Sequence, residues 1–234
     1  MKKSLICGLL IATYPLTSLA APLGWKGEAE LGMVITDGNT ETQNISAKMD
    51  LNDEQESWRH NIHAEALNAS ADDIRSAEKY ILSGKTSYKF NEFDSAFLVG
   101  TYDDDRFSGF DYQVSLAAGY GRRLINSDDQ TLDVEIGPGY RINELDSGDS
   151  VDEAMIRVGG KYFLALSKTS NFQQSLVSEI GEDITITKSI TSVKAQINGS
   201  LAMKASLTIK NTSEVPEGTE ETDTETAVTL VYAF

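Results

Sequence analysis

Between Trp25 and Phe234, apolar and polar residues alternate with a period of two. At the start of this region Trp25, Ala29, Leu31, Met33 and Ile35 share one face, and Lys26, Glu28, Glu30 and Gly32 the other. Successive strand side chains point to opposite faces, so this period predicts a β-strand with one apolar and one polar side. The pattern recurs: Ile45, Ala47, Met49 and Leu51 oppose Asn44, Ser46, Lys48 and Asp50. Tyr112, Val114, Leu116, Ala118 and Tyr120 oppose Gln113, Ser115, Gly119 and Gly121. Twelve strands are predicted, near 25–36, 41–52, 57–68, 77–90, 95–104, 111–124, 131–142, 153–166, 171–181, 187–198, 203–212 and 223–234. The pattern is weakest at 95–104, where both faces carry apolar residues, and at 187–198, where the start is unclear. No helical period appears after residue 25.

Alternation does not say which face is wet. A soluble barrel or sandwich turns its apolar face inward, and a membrane barrel turns it outward. Four features favour the membrane. The strands are mostly longer than the usual mode of about five or six residues and suit a tilted bilayer crossing. Connections on the side of the N-terminus are short (91–94, 125–130, 167–170, 199–202), whereas those on the far side are mostly longer and polar (69–76, 103–110, 143–152, 213–222). That asymmetry is the one between periplasmic turns and extracellular loops. The first far-side connection, Asp37-Gly38-Asn39-Thr40, reads instead as a tight hairpin.

The third feature is two aromatic bands. Trp25, Trp58, Tyr88, Phe90, Tyr120, Tyr162, Phe172, Tyr232 and Phe234 fall at the periplasmic strand ends; Tyr80, Tyr102, Tyr112 and Tyr140 fall at the outer ends. Amphipathic rings at both headgroup levels form girdles. The fourth is the last segment, where Val228, Leu230, Tyr232 and Phe234 share the apolar face; it resembles the assembly signal of bacterial outer-membrane barrels. The expected fold is all-β, a twelve-stranded antiparallel transmembrane barrel with both termini periplasmic. Closure gives every strand two neighbours, which lipid requires of backbone polar groups.

The N-terminus reads as an address. Lys2 and Lys3 precede an apolar stretch broken by Pro15, and Ser18-Leu19-Ala20 supplies small residues at a cleavage site. This is a secretory signal over residues 1–20, leaving 21–234 as the barrel. Cleavage after Ala20 also removes Cys7, the chain's single cysteine, so no disulfide is expected in the exported protein. A formal net charge of −16 argues against a nucleic-acid partner.

Candidate chemistry is sparse. His60 and His63, three apart on a strand, point to opposite faces and cannot share a metal. A lipid hydrolase needs a Ser–His pair on the lipid side near the outer rim. His60 faces lipid at the periplasmic end with no serine motif, so enzymatic activity is not expected, and no cofactor is called for. Asp103, Asp104 and Asp105 are weak candidates for a divalent cation, against the plainer reading of a solvated acidic loop. The polar face is more informative. Arg59, His63, Glu65, Arg123, Asp133, Glu135, Arg141, Arg157 and Lys161 are placed in the lumen, and basic residues outnumber acidic ones on that face. Such charges either pair across the barrel and fill it or line a narrow passage. Inward glycines at 119, 121, 137, 139 and 159 either hollow a pocket or mark a bend near Pro138.

Gly32-Met33-Val34-Ile35-Thr36-Asp37-Gly38-Asn39-Thr40 with Thr42, the segments Asp105–Tyr112 and Gly119–Leu124, and Leu132–Tyr140 together resemble domain-of-unknown-function family 481, the salt-induced outer-membrane proteins of the YdiY type. The resemblance spans most of residues 25–234. It implies an outer-membrane barrel and carries no catalytic residues. The leading expectation is a narrow passive channel for ions or small polar solutes. The alternative is a filled structural or envelope-stress barrel whose acidic loops meet cations, lipopolysaccharide or another partner. Expected partners are outer-membrane lipid and lipopolysaccharide, the barrel-assembly machinery during biogenesis, and divalent cations at the acidic loops.

Overall fold

The computed structural model describes residues 24–37, 42–71, 74–105, 108–145, 148–216 and 218–234. The leader, the Gly38–Thr40 turn and Arg106–Phe107 of the resemblance lie outside them. The described chain is twelve antiparallel strands: β1 (Trp25–Asp37), β2 (Thr42–Glu54), β3 (Trp58–Ala71), β4 (Ile74–Lys89), β5 (Asp94–Asp105), β6 (Phe110–Asn126), β7 (Gln130–Leu145), β8 (Ser150–Ala165), β9 (Ser170–Gly181), β10 (Thr185–Gln196), β11 (Leu201–Thr212) and β12 (Thr222–Ala233). Each pairs with its sequence neighbours, and β12 returns to β1 to close the barrel. The seam runs from Glu28 opposite Ala233 to Asp37 opposite Thr224. Beyond it, Gly27 and Phe234 exchange both backbone hydrogen bonds, at 2.8 and 2.9 Å.

The apolar face is the outer one. Leu31, Met33 and Ile35 are 63, 64 and 57 % exposed, while Glu30 and Val34 on the alternate positions are 3 and 0 % exposed. Val228, Leu230 and Tyr232 likewise point outward from β12. A soluble barrel would show the reverse. The aromatic bands are built as contacting clusters: Trp25 and Trp58 each stack on His60, Trp58 meets Tyr88 edge-on, and Tyr102 stacks on Tyr112 at the other rim.

Strands run further outward than the alternation implies. β3 and β4 consume nearly all of the expected 69–76 loop, and the β9–β10 connection is only Glu182–Ile184. Above the bilayer no lipid demands an apolar side, so strands continue there without the pattern that reveals them. β10 begins at Thr185 and ends at Gln196, two residues earlier at each end than expected.

Of the inward glycines, Gly121 lines open space near the periplasmic end, whereas the other four are closed in by their neighbours. Gly119 and Gly137 face each other across β6 and β7, and a Cβ on either would overlap the neighbouring strand's backbone carbonyl. Met155 and Ala117 fill the space at Gly139, and the Glu135 side chain fills that at Gly159. These glycines allow close backbone approach.

Candidate functional site: the barrel lumen

Inward side chains of β7, β8 and β9 form a ladder of alternating charge. Lys85 of β4 pairs with Glu135. Arg157 lies 3.2 Å from Glu135 and 2.6 Å from Glu179. Arg141 then lies 3.6 Å from Glu179 and 2.5 Å from Glu153. The register explains the climb, because Arg157 sits opposite Glu179, and Arg141 opposite Glu153. Glu153 also accepts hydrogen bonds from the Asp183 and Ile184 N–H groups of the β9–β10 turn, and Arg141 donates to the Ile184 carbonyl. At the periplasmic end Arg123 holds Asp133 by two hydrogen bonds of 2.7 and 2.9 Å.

On the other wall, Lys48 of β2 lies 3.1 Å from Glu65 and 3.0 Å from Glu225. His63 Nδ1 is 3.0 Å from Asp50, and its Nε2 is 3.6 Å from Glu65. Arg59 pairs with Glu54. Lys161, also inward on β8, makes no ion pair among the described residues and is exposed to the lumen.

The two walls are bridged. Lys210 of β11 lies 3.1 Å from Asp103 of β5 and donates to Gln113 of β6 at 3.3 Å. Lys79 of β4 reaches Glu225 of β12 at 3.7 Å and Asp105 at 3.8 Å. A circular barrel of this strand number would be roughly 24 Å across at the usual spacing and tilt. A lysine and an aspartate in contact span about 13 Å between their Cα atoms at standard bond lengths and hydrogen-bond distances. The cross-section is therefore flattened between β5–β6 and β11–β12. The outer connections meet above the same line: a Cβ on Gly109 would come within 2.9 Å of both Pro216 and Thr219. Gly109 has φ +78°, which explains a glycine there.

Asp103, Asp104 and Asp105 therefore do not form an acidic loop. They belong to β5, whose alternation sends Asp103 and Asp105 inward to lysines and leaves Asp104 on the outer face beside Tyr102. No group of three candidate ligands for a metal occurs among the described residues.

Burial is uneven along and around the lumen: Ala202 and Val231 are buried near the periplasmic ends of β11 and β12, whereas open space lies at that end on the β3–β7 side. In the outer half Glu65, Gln113, Arg141, Asn143, Glu153 and Lys210 are all buried. Val34, Leu67 and Ala227 pack inside the barrel there, and Phe97, Val99, Ala117 and Met155 pack along the β5–β8 side. At the periplasmic end lies a small vestibule of about 50 Å³, lined among others by Arg59, Lys85, Lys89, Arg123, Asp133 and Glu135.

Every lumen residue expected from the sequence faces inward. The expected basic surplus is reduced, because Glu54, Asp103 and Asp105 also face inward, against Lys188 of β10. Tyr102 at the outer girdle was the available signal, since its neighbour on a strand must face the other way. The cross-barrel partners had no such signal.

A family model described as "Protein of unknown function, DUF481" matches residues 29–234. The chain is 27% identical over 211 residues to "Uncharacterized protein YdiY" of Escherichia coli K12, covering 90% of this chain and 83% of the relative. Among solved structures it is similar to the NanC porin, with TM-score 0.60 and 6% identity, covering 87% of this chain and 98% of the porin. It is also similar to an outer membrane channel from Pseudomonas putida F1, with TM-score 0.52 and 12% identity, covering 94 and 99% of the two chains. These likenesses establish the fold, that of outer-membrane barrels.

Proposed function

The chain belongs to the DUF481 family of proteins of unknown function, and we propose that it is a narrow passive path across the outer membrane for ions and small polar solutes. The observation that carries this reading is the Lys210–Asp103 bridge, which pinches a lumen lined mostly by charged and polar groups, with apolar clusters at Val34, Leu67 and Ala227 and along the β5–β8 side. Charged groups lining the remaining space keep it hydrated, and the pinch excludes solutes that a wide porin would admit. Its porin and channel neighbours support a transport reading in which no chemistry is performed. Because lumen cations are mostly matched by carboxylates, the reading stops at small ions and polar solutes and names no larger anionic substrate.

The remaining expectations join this reading. The leader exports the chain, the assembly machinery reads the strand ending at Phe234, and the apolar band sits in lipid beside lipopolysaccharide. A second reading, a filled structural barrel whose acidic outer loops meet divalent cations, is favoured by the contact of Gly109 with Pro216 and Thr219 over the mouth.

Planar-bilayer recording of the refolded protein, after a heat-shift gel confirms the barrel, separates the two. Small discrete steps are expected, growing by about twofold or more in the Lys210→Met, Asp103→Asn double variant, because a constriction in series dominates a narrow path. A folded barrel silent across salt and voltage in both forms would remove the channel reading and leave the filled barrel.

A further inference from the structure

The outer faces of β9 and β10 break the rule that the rest of the barrel obeys. Between the periplasmic ring of Phe172 and the outer turn, β9 sends out Gln174, Leu176, Ser178 and Ile180. β10 sends out Thr185, Thr187, Ser189, Thr191 and Val193. Lys194 reaches Glu28 in the lumen, and Val193 is 42 % exposed outside, which fixes these faces. On β10 the pattern is inverted, since Ile186 and Ile190 take inward positions while hydroxyls face lipid. Neighbouring β11 shows the ordinary pattern, with Met203, Leu207 and Ile209 outward.

The hydroxyls and amide are linked within the sheet. Gln174 Nε2 donates to Ser189 Oγ at 2.9 Å, and Thr191 donates to Gln174 Oε1 at 2.5 Å. Ser178 and Thr187 are 2.9 Å apart. The Ser189 hydroxyl accepts here and has no acceptor for its own proton among the described residues. In hydrocarbon an unmatched donor is unfavourable, and polar or small residues on a lipid-facing surface are what membrane segments use to bind one another. Flanking Gly160 on β8 leaves room for close approach, and its would-be Cβ meets nothing nearer than 4.0 Å. The connections at both ends, 166–169, 182–184 and 197–200, are short and present no long loop beside this face.

We propose that this face is the contact between two copies of the chain side by side in the membrane, an interface independent of whether the lumen conducts. The patch is neutral, and its hydroxyls and amide each donate and accept, so it is complementary to itself across a two-fold axis. Both copies are inserted with the same orientation, which places that axis along the membrane normal. Ser189, Thr191 and Gln174 of each copy then face those of the other, and Leu176 and Val193 pack around them. A charged partner surface would find no counter-charge here.

The test is thiol cross-linking in outer membranes of cells expressing the full chain with Cys7→Ser. Ser189→Cys is expected to form a disulfide-linked dimer under mild oxidation, whereas Leu82→Cys, lipid-facing on β4, stays monomeric. The Gln174→Leu, Ser189→Leu, Thr191→Leu variant should keep its heat-shift and run as a monomer in nanodiscs where the parent runs as a dimer. Equal cross-linking of the two cysteines, or a monomeric parent that is folded, overturns the interface. A product whose mass shows a different protein attached to Ser189→Cys overturns the second copy as its occupant.

Discussion

Arg141 shows what a charge needs inside a narrow barrel. It is 1 % exposed and is held by Glu153, Glu179 and the Ile184 carbonyl. Arginine suits this place because its planar fork donates in several directions and stays charged. Arg141→Met is expected to cost about 3–5 kcal/mol, because it strands Glu153 in a buried site. Urea unfolding of the refolded barrel in micelles measures this as a lowered midpoint. Gly137 is constrained by space instead: a side chain there overlaps the Ala118 carbonyl. Gly137→Val should separate β6 from β7 and lower stability by about 1–3 kcal/mol, the usual range for overpacking. The same unfolding curve reports it, with Gly84→Val as control, since nothing lies within 4 Å of a Cβ at Gly84.

Among elements, β1 shows most plainly how lipid sets identity by depth and face. Met33 lies midway along β1 and is 64 % exposed. Met33→Arg is expected to destabilise the barrel by about 2–4 kcal/mol, the range for a cation on the lipid face at midplane. Equilibrium folding into vesicles checks this, and Ser189→Leu on β10 should not destabilise the fold at all. The contrast separates a strand that needs its apolar face from one whose outer face is polar. β5 gives the complementary lesson. Both its faces carry apolar residues because Phe97 and Val99 pack inside the lumen with Ala117 and Met155, while Leu98 faces lipid.

For the whole molecule, the uneven burial of the lumen makes a prediction about access. Lys161 is exposed to the lumen, whereas Asn143 is 0 % exposed. With Cys7→Ser as background, Lys161→Cys should react quickly with a small water-soluble maleimide added from the periplasmic side, and Asn143→Cys slowly. Equal rates would mean that the outer half is as open as the inner. A barrel flattened and bridged in its outer half also explains how twelve strands, enough to enclose a wide lumen, leave little open space there.

Much of this was legible in the alternation. Period two with an apolar outer face determined the strand number, the antiparallel order, the aromatic girdles and most of the charges that entered the lumen, because each depends on one residue's relation to its own strand and to lipid. Where lipid no longer acted, as at the outer ends of β3, β4 and β5, the pattern faded and Asp103–Asp105 read as a loop. On β10 the pattern was weak because Thr187, Ser189 and Thr191 stand where apolar residues were expected. Only the tertiary structure decided that Lys210 meets Asp103, that Lys79 meets Glu225, and that Gly109 lies under Pro216. Those contacts join strands on opposing walls, and their existence depends on the shape of the closed cross-section, a property that no single strand's sequence contains.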